Sequence, residues 1–380
     1  FLHFPYHSHK NNCPVTGDCI KYKQKAHVTV SQSLETMEYL WLVLCFCIYR
    51  GARTNVAAAH EIPLEAKMLS GEALVEYLKK NQDLFEVNSD PTPGFESKLM
   101  DIKFKNDDAY TVVKDDPDPG DDIPENYDPR KIWTNCTSLF TIRDQANCGS
   151  CWAVSTAAAI SDRICIATKG EKQVYISATD IMTCCTRPCG HGCGGGWSFN
   201  AWKFFVDDGV VSGGQYLSKG CCRPYPLHPC GRHGNDTYYG ECPPGLAYTP
   251  DCKRKCQPAF KKVYRMDKRY GKIAYKLPNS VKAIQRDILK YGSVTGSFEV
   301  FEDFKHYKSG IYKYTAGRSR GYHAVKIIGW GKENGTDYWL IANSWHNDWG
   351  ENGFFRILRG TNHCGIEEKV SGGLVDVNSL

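Results

Sequence analysis

Two cysteines stand three positions apart in DQANCGSCW (144–152), with Gly149 and Ser150 between Cys148 and Cys151 and Trp152 after them. Such a CxxC pair is a redox dithiol, half of a zinc site, or a structural cysteine beside a reactive one. The third chemistry needs further residues. Cys151 opens CWAVSTAAAISDRICIAT (151–168), an Ala-rich stretch with Ile160, Ile164 and Ala167 at helical spacing. At a helix N-terminus the dipole and the free N–H groups favour a thiolate. A thiolate also needs a basic partner, and that partner an orienting group. His323 in GYHAVKIIGWG and Asn343 in ANSWHNDWG can supply them. Trp345 can keep water from a His–Asn hydrogen bond. Gln145 carries a side-chain N–H that can join the Cys151 backbone N–H in stabilising an oxyanion.

The elements that must hold these groups differ along the chain. Up to about residue 210 the signals are helical. SFNAWKFFVDDG (198–209) starts at a capping Ser198, buries Trp202, Phe205 and Val206, and stops at Gly209. Residues 212–256 are Gly-, Pro- and Cys-rich and read as a long disulfide-held loop region. SVKAIQRDILKYG (280–292) is a helix capped by Ser280 and ended by Gly292. Strand signals follow at 294–300, 323–330, 337–345 and 353–360. The fold class is α+β: a helical half followed by a β half, with a site expected in the cleft between them.

Nineteen cysteines, 15 of them at or after Cys136, point to an oxidising compartment, and the odd total leaves at least one thiol free. Sequons at Asn135, Asn235 and Asn334 agree with secretion. The formal net charge is +5, and no basic run or basic–aromatic pattern suggests nucleic acid. A zinc site from Cys184, Cys185, Cys189 and Cys193 is possible by count, but in this setting disulfides are the stronger expectation. His191 and His363 are read as surface or structural residues.

Residues 1–36 are polar and aperiodic and are read as a leader or extension preceding Met37. LWLVLCFCIY (40–49) is too short to span a bilayer but suits a signal peptide over 37–59, cleaved after Ala59; stable membrane insertion is not expected. Residues 60–120 read as a small polar unit. Ser70 is expected to cap a helix that carries Leu74, Tyr77 and Leu78 on one face. DDPDPGDD (115–122) cannot pack and reads as an exposed linker. This is the layout of a zymogen, with a propeptide at 60–122 and a body at 123–380.

CGSCW matches the nucleophile signature of papain-type cysteine proteases. Within that family the chain resembles the cathepsin B-like enzymes. RDQANCGSCWA, AISDRICIAT, CCTRPCGHGCGGGW, CRPYPLHPC, GYHAVKIIGWG, YWLIANSWHNDWGENGFFRILRG and HCGIEEKV follow their pattern in order, over roughly 123–375. YWLIANSWHNDWGE also resembles a motif of cathepsin B-like enzymes from blood-feeding helminths, where it is associated with haemoglobin digestion.

The resemblance implies a papain-like two-domain fold and a secreted (gut-lumen) or lysosomal protease that acts on proteins or peptides. It implies Cys151 as nucleophile, His323 as its partner, Asn343 as orienter and Gln145 as oxyanion donor. Gly195 and Gly196 would let a substrate backbone approach, alongside Trp345. The propeptide and cystatin-like inhibitors are the implied partners, and neither a metal nor an organic cofactor is implied. The expected disulfides are Cys136–Cys165, Cys148–Cys193, Cys184–Cys252, Cys185–Cys189, Cys222–Cys256 and Cys230–Cys242, with Cys221 and Cys364 left over. A non-catalytic cleft-binding homologue and a thiol-redox protein remain as alternative readings.

Three residues depart from the cathepsin B pattern. CGRHGNDTYYGEC (230–242) matches the occluding loop, whose two adjacent histidines hold a substrate's C-terminal carboxylate. Here they are Arg232 and His233, and an Arg232–Asp144 ion pair is expected. The loop arginine that pairs with the residue matching Asp348 is missing, with Tyr238 or Tyr239 in its place, which predicts a looser loop. Lys369 replaces the acidic residue at the base of the S2 pocket, which predicts apolar residues over Arg at P2.

Overall fold

The apolar stripes and turn residues become helices and strands over residues 61–106, 122–185 and 189–380, the parts of the chain that the computed structural model describes. The extension at 1–36, the hydrophobic segment at 37–59 and nearly all of the 115–122 linker lie outside the described residues.

Helix α1 (Gly71–Asn81) turns Leu74, Val75 and Leu78 inward with Tyr77 beside them. Ser70 takes the cap position, yet its side chain makes no capping bond. Helix α2 (Cys151–Ala167) is buried almost all round, which suits its Ala- and Ile-rich composition. Helix α3 (Ala178–Cys184), too short to show a period, starts where Ser177 Oγ accepts the Asp180 N–H at 3.1 Å. Helix α4 (Ser198–Asp207) buries Trp202 and Phe205 and leaves Val206 half-buried. Ser198 is its first helical residue and not its cap: Trp197 holds the cap position, and Ser198 Oγ has no partner. Gly209 ends the turn at φ 69°. Helix α5 (Val281–Tyr291) is capped by Ser280 and stopped by Gly292 at φ 97°.

Eight strands form one sheet: β1 (Phe85–Val87), β2 (Gly271–Lys276), β3 (Val294–Phe301), β4 (Tyr307–Tyr312), β5 (Ser319–Glu333), β6 (Thr336–Ala342), β7 (Phe354–Leu358) and β8 (Ser371–Val375). Their spatial order is β1-β4-β7-β6-β5-β3-β8-β2, antiparallel throughout except for β4 with β7. Asn334 (φ 50°) and Gly335 (φ 82°) close the β5–β6 hairpin with both central residues left-handed, as a tight type I′ turn demands. That hairpin matters for the site. It places His323 within β5, opposite Phe298 of β3, and Asn343 directly after β6.

Two apolar clusters result. One fills the β side around Phe298, Trp330 and Phe355; the other packs α2 against α3 and α4 around Trp152, Ile160 and Trp202. The N-terminal segment feeds both. Leu74, Leu78, Phe85, Phe95 and Leu99 enter the first, and Met100 and Phe104 the second. Residues 62–380 therefore form a single compact unit, and 62–106 does not stand apart from the body.

Buried polar bonds tie α2 to the β half. Lys326 Nζ meets Asp162 Oδ2 at 2.8 Å, and Ser293 Oγ donates to the same oxygen at 2.7 Å. Arg163 pairs with Asp287 and donates to Ser293 O at 2.8 Å, Tyr275 Oη at 2.8 Å and Gly373 O at 2.9 Å. The disulfides are Cys136–Cys165, Cys148–Cys193, Cys184–Cys252, Cys185–Cys189, Cys222–Cys256 and Cys230–Cys242. Among the described residues Cys151, Cys221 and Cys364 are free thiols.

Candidate functional site

Cys151 is the first residue of α2 and is fully buried. Its Sγ accepts the Ala324 N–H at 3.4 Å, so the thiol lies against β5 one residue past His323. Burial pushes the thiol up to about 12, against the pull of the Ala324, Trp152 and Cys151 N–H groups toward the thiolate. His323 Nε2 lies 2.8 Å from Asn343 Oδ1. An amide oxygen only accepts, so Nε2 carries the proton, and Nδ1 is left buried with no hydrogen-bond partner. Burial holds the imidazole down at about 4; the Asn343 bond pulls it up and the Lys98 ammonium pushes it further down. The Trp345 ring lies 4.8 Å from the His323 ring and is itself buried, closing the His–Asn bond off from water.

Gln145 is held at both ends. Its N–H donates to Ser344 O at 3.0 Å, and its Oε1 accepts Ser344 Oγ at 2.6 Å. That leaves Nε2 to donate to Cys148 O at 2.7 Å and to Lys98 O at 2.9 Å. The Tyr225 hydroxyl donates to Gln145 O at 2.9 Å and lies 2.7 Å from Ser150 Oγ, steadying the loop before Cys151. The Cys148–Cys193 bond and the Gly149 N–H to Cys193 O bond of 2.9 Å clamp the same loop. A Cβ at 149 would meet Cys193 O at 2.5 Å and Leu99 O at 2.7 Å, so only glycine fits.

The N-terminal segment therefore runs through the site. Met100 and Tyr322 exchange both backbone bonds, at 2.8 and 3.0 Å, as an antiparallel bridge beside His323. Gly195 stands at φ 118°, and a Cβ there would strike the Phe104 ring at 2.5 Å. At Gly196 a Cβ would meet Cys189 O at 2.5 Å and the Trp152 ring at 2.6 Å. Phe104 packs edge-on to Trp197 at 4.9 Å and borders a cavity lined by Gly196, Tyr322, Lys369 and Ser371. Lys369, 3.9 Å from Glu368, thus stands at a pocket that Gly196 and Tyr322 also line.

The 230–242 loop differs from expectation. Arg232 does not reach Asp144; its guanidinium lies over the Tyr238 ring at 4.8 Å. His233 takes that place, with Nε2 3.8 Å from Asp144 Oδ2 and Nδ1 3.0 Å from Asp348 Oδ1. Asp348 is therefore not left without a partner, because the imidazoles of His233 and His346 both reach it. The short, stiff imidazole fits where the longer guanidinium finds an aromatic face instead.

The papain family cysteine protease model matches residues 123–374. The chain belongs to the papain family of cysteine proteases. Among curated papain-family relatives it is 68% identical over 346 residues to cathepsin B-like cysteine proteinase 1 of Haemonchus contortus, covering 90% of this chain and 100% of that protein. Cathepsin B-like cysteine proteinase 1 of Ostertagia ostertagi is 59% identical, covering 89% and 100%. Among solved structures, procathepsin B S9 from Trypanosoma congolense aligns with TM-score 0.68 and 32% identity over 82% of this chain and 100% of that one. Procathepsin L 3 of the Tenebrio molitor larval midgut (TM-score 0.55, 20% identity, 79% and 86% coverage) shares the fold.

This papain-family member is thus a cathepsin B-like cysteine proteinase that acts on peptide bonds, with a propeptide-like N-terminus. Several site groups escaped the sequence reading. Ser344 fixes the Gln145 amide, Tyr225 buttresses its backbone, and Lys98 supplies the carbonyl it grips. Ser344 and Tyr322 adjoin recognised residues, and Tyr225 lies in the recognised CRPYPLHPC block, so all three were findable by position; Lys98 and Phe104 are isolated in sequence and carried no signal. His363 is structural, its Nε2 accepting the Tyr314 N–H at 2.8 Å, and His191 is exposed. Asn135, Asn235 and Asn334 are all exposed.

Proposed function

We propose that the chain is the precursor of a cathepsin B-like endopeptidase that also releases dipeptides from C-termini. Segment 60–122 is read as the inhibitory propeptide and 123–380 as the peptidase. Cys151 attacks the scissile carbonyl carbon as a thiolate. The oxyanion is held by Gln145 Nε2 and the Cys151 N–H. His323, imidazolium after pairing with Cys151, gives its proton to the leaving amine as the C–N bond breaks. Water, deprotonated by the neutral His323, then hydrolyses the thioester and restores the thiol. Asn343 fixes the imidazole so that Nδ1 faces the reaction, and Trp345 keeps that bond dry.

One observation carries this reading. A backbone carbonyl, Lys98 O, lies on the Gln145 amide while the next residues bridge to Tyr322, beside His323. A peptide lying there is positioned as a ligand of this cleft. While it stays, burial keeps both Cys151 and His323 neutral, so the ion pair waits for its departure. Cleavage near Asp121–Ile123 would release it. Arg232 and His233 are read as recognising a C-terminal carboxylate, and the cavity at Lys369 as a P2 pocket that disfavours Arg. Secretion or lysosomal delivery, haemoglobin as a substrate and cystatin-like inhibitors complete the reading.

Labelling with an epoxide inhibitor tests it. One cysteine per activated chain should react, and Cys151→Ser should abolish both labelling and hydrolysis. Labelling at Cys148, or activity surviving in Cys151→Ser, would overturn the assignment.

A further inference from the structure

His233, His346 and Asp348 bring three ligating atoms together at the edge of the 230–242 loop. His233 Nδ1 lies 3.0 Å from Asp348 Oδ1 and 3.1 Å from Oδ2. His346 Nδ1 lies 3.1 Å from the same Oδ1. The two imidazoles stack with centroids 3.9 Å apart and planes inclined by 21°. One ligating atom from each of the three residues lies within 4.8 Å of the other two. For metal–nitrogen bonds of about 2.0–2.1 Å, the edge of a tetrahedral site is about 3.4 Å. Both nitrogens stand within about that spacing of Asp348 Oδ1, and a turn of one ring out of the stack brings both lone pairs onto a shared ion.

The outer ring nitrogens are occupied as a metal site requires. His233 Nε2 lies 3.1 Å from Cys230 O, which can only accept, so Nε2 carries the proton. His346 Nε2 faces Asp236 Oδ2 at 3.3 Å. The buried Asp144 Oδ2, without a hydrogen-bond partner, stands 3.8 Å from His233 Nε2 and reinforces that tautomer. A ligating imidazole is normally oriented in this way, by a carbonyl or carboxylate on its other nitrogen.

The backbone at His346 is left-handed, at φ 76°.

We propose that His233, His346 and Asp348 form a site for a divalent transition metal, with Zn²⁺ the best match and water as the fourth ligand. Two imidazoles and one carboxylate favour Zn²⁺ over Mg²⁺ or Ca²⁺, which seek oxygen. The ion joins the Cys230–Cys242 loop to the segment after β6 that carries Asn343 and Trp345. It borders a cavity of ≈ 250 Å³ to which His233, Asp236 and His346 contribute. Bound metal therefore pins the loop beside the cleft and commits His233 to the ion. The site rests on its own geometry and not on the catalytic reading.

The test uses the full-length Cys151→Ser precursor, which removes the nucleophilic thiol as a competing ligand. Calorimetric titration with ZnCl₂ should show one Zn²⁺ per chain, with MgCl₂ giving no binding in the same range. His346→Asn suits the left-handed backbone and keeps a polar side chain, so it should fold. It should weaken Zn²⁺ at least about tenfold, as should His233→Ala. Co²⁺ should give a tetrahedral visible spectrum that His346→Asn abolishes. No micromolar binding of Zn²⁺, or binding that neither variant alters, overturns the proposal.

Discussion

The carbonyl oxygen of Lys98 receives the Gln145 amide N–H at 2.9 Å. The donor proposed to stabilise an oxyanion is thus already satisfied by a neutral peptide group. In the activated enzyme that donor becomes free for the transition state. Gln145→Ala should then lower kcat by about 10²–10³ with little change in KM, as loss of one oxyanion donor does. Steady-state hydrolysis of a dipeptidyl fluorogenic substrate reads this directly; a rise in KM alone would mean that Gln145 only binds ground-state substrate.

Phe104 and Met100 anchor the covering segment at Trp197, Gly195 and Tyr322. Truncating a buried Phe to Ala costs about 3–5 kcal/mol in a folded core. Part of that cost should fall on the covered state. Phe104→Ala precursor should therefore convert to mature enzyme at least about tenfold faster than wild type, followed by gel electrophoresis. An unchanged rate would show that the segment's hold lies elsewhere.

Acid should open the precursor. In the covered state burial keeps His323 at about 4, whereas an unperturbed imidazole titrates near 6.5. Between those values the open state binds a proton that the covered state does not, so the covered state loses relative stability as pH falls from about 6.5 to about 4. His306, also lowered by burial and donating from Nδ1 to Asn88 O at 2.9 Å, pushes in the same direction. Asp303, raised to about 7 by burial, accepts from Tyr312 Oη and from the Thr315 and Ala316 N–H groups, all of them in the body. Hydrogen exchange on the Cys151→Ser precursor, corrected for intrinsic rates, should show protection at 98–104 falling across this window. Constant protection would sink the idea.

The charge at the P2 pocket predicts a specificity switch. Lys369 lines the pocket proposed to take P2, where an arginine side chain would meet a like charge. Wild type should cleave Z-Phe-Arg substrates in preference to Z-Arg-Arg. Lys369→Glu should move the ratio of the two kcat/KM values at least about tenfold toward Z-Arg-Arg, an effect of about 1.4 kcal/mol. A wild type that prefers Z-Arg-Arg would contradict the pocket assignment.

His233→Ala should lower release of C-terminal dipeptides while sparing cleavage of blocked internal substrates. Product analysis by mass spectrometry distinguishes the two, and unaltered dipeptide release would remove His233 from carboxylate recognition.

Much of this was legible because the chemistry is local in sequence. Cys151 opens a visibly helical stretch, and Ser280 and Gly292 punctuate α5 as capping rules require. His323 and Asn343 flank a hairpin whose Asn334–Gly335 turn is a strong short-range signal. Ser198 misled because a serine at a helix start can be either cap or first residue, and only the backbone decides. Strands β1, β2, β4 and β8 were missed since they lack the run of bulky apolar residues that marks the equally short β7. Arg232 was misassigned by position: the guanidinium found Tyr238, and His233 met Asp144 and Asp348. Contacts of the Lys98–Gln145 kind join residues with no pattern between them, and only the folded chain reveals them.

The polar ties of α2 to the β half have one more consequence. Asp162–Lys326 and Arg163–Asp287 span the boundary between the half that carries Cys151 and the half that carries His323. Breaking either would strand a charge in a dry interior, at a cost of several kcal/mol. The two halves therefore melt together or not at all. Loss of the reactive pair on heating should coincide with loss of the whole fold, leaving no warm, half-open intermediate in which the thiol survives without its imidazole.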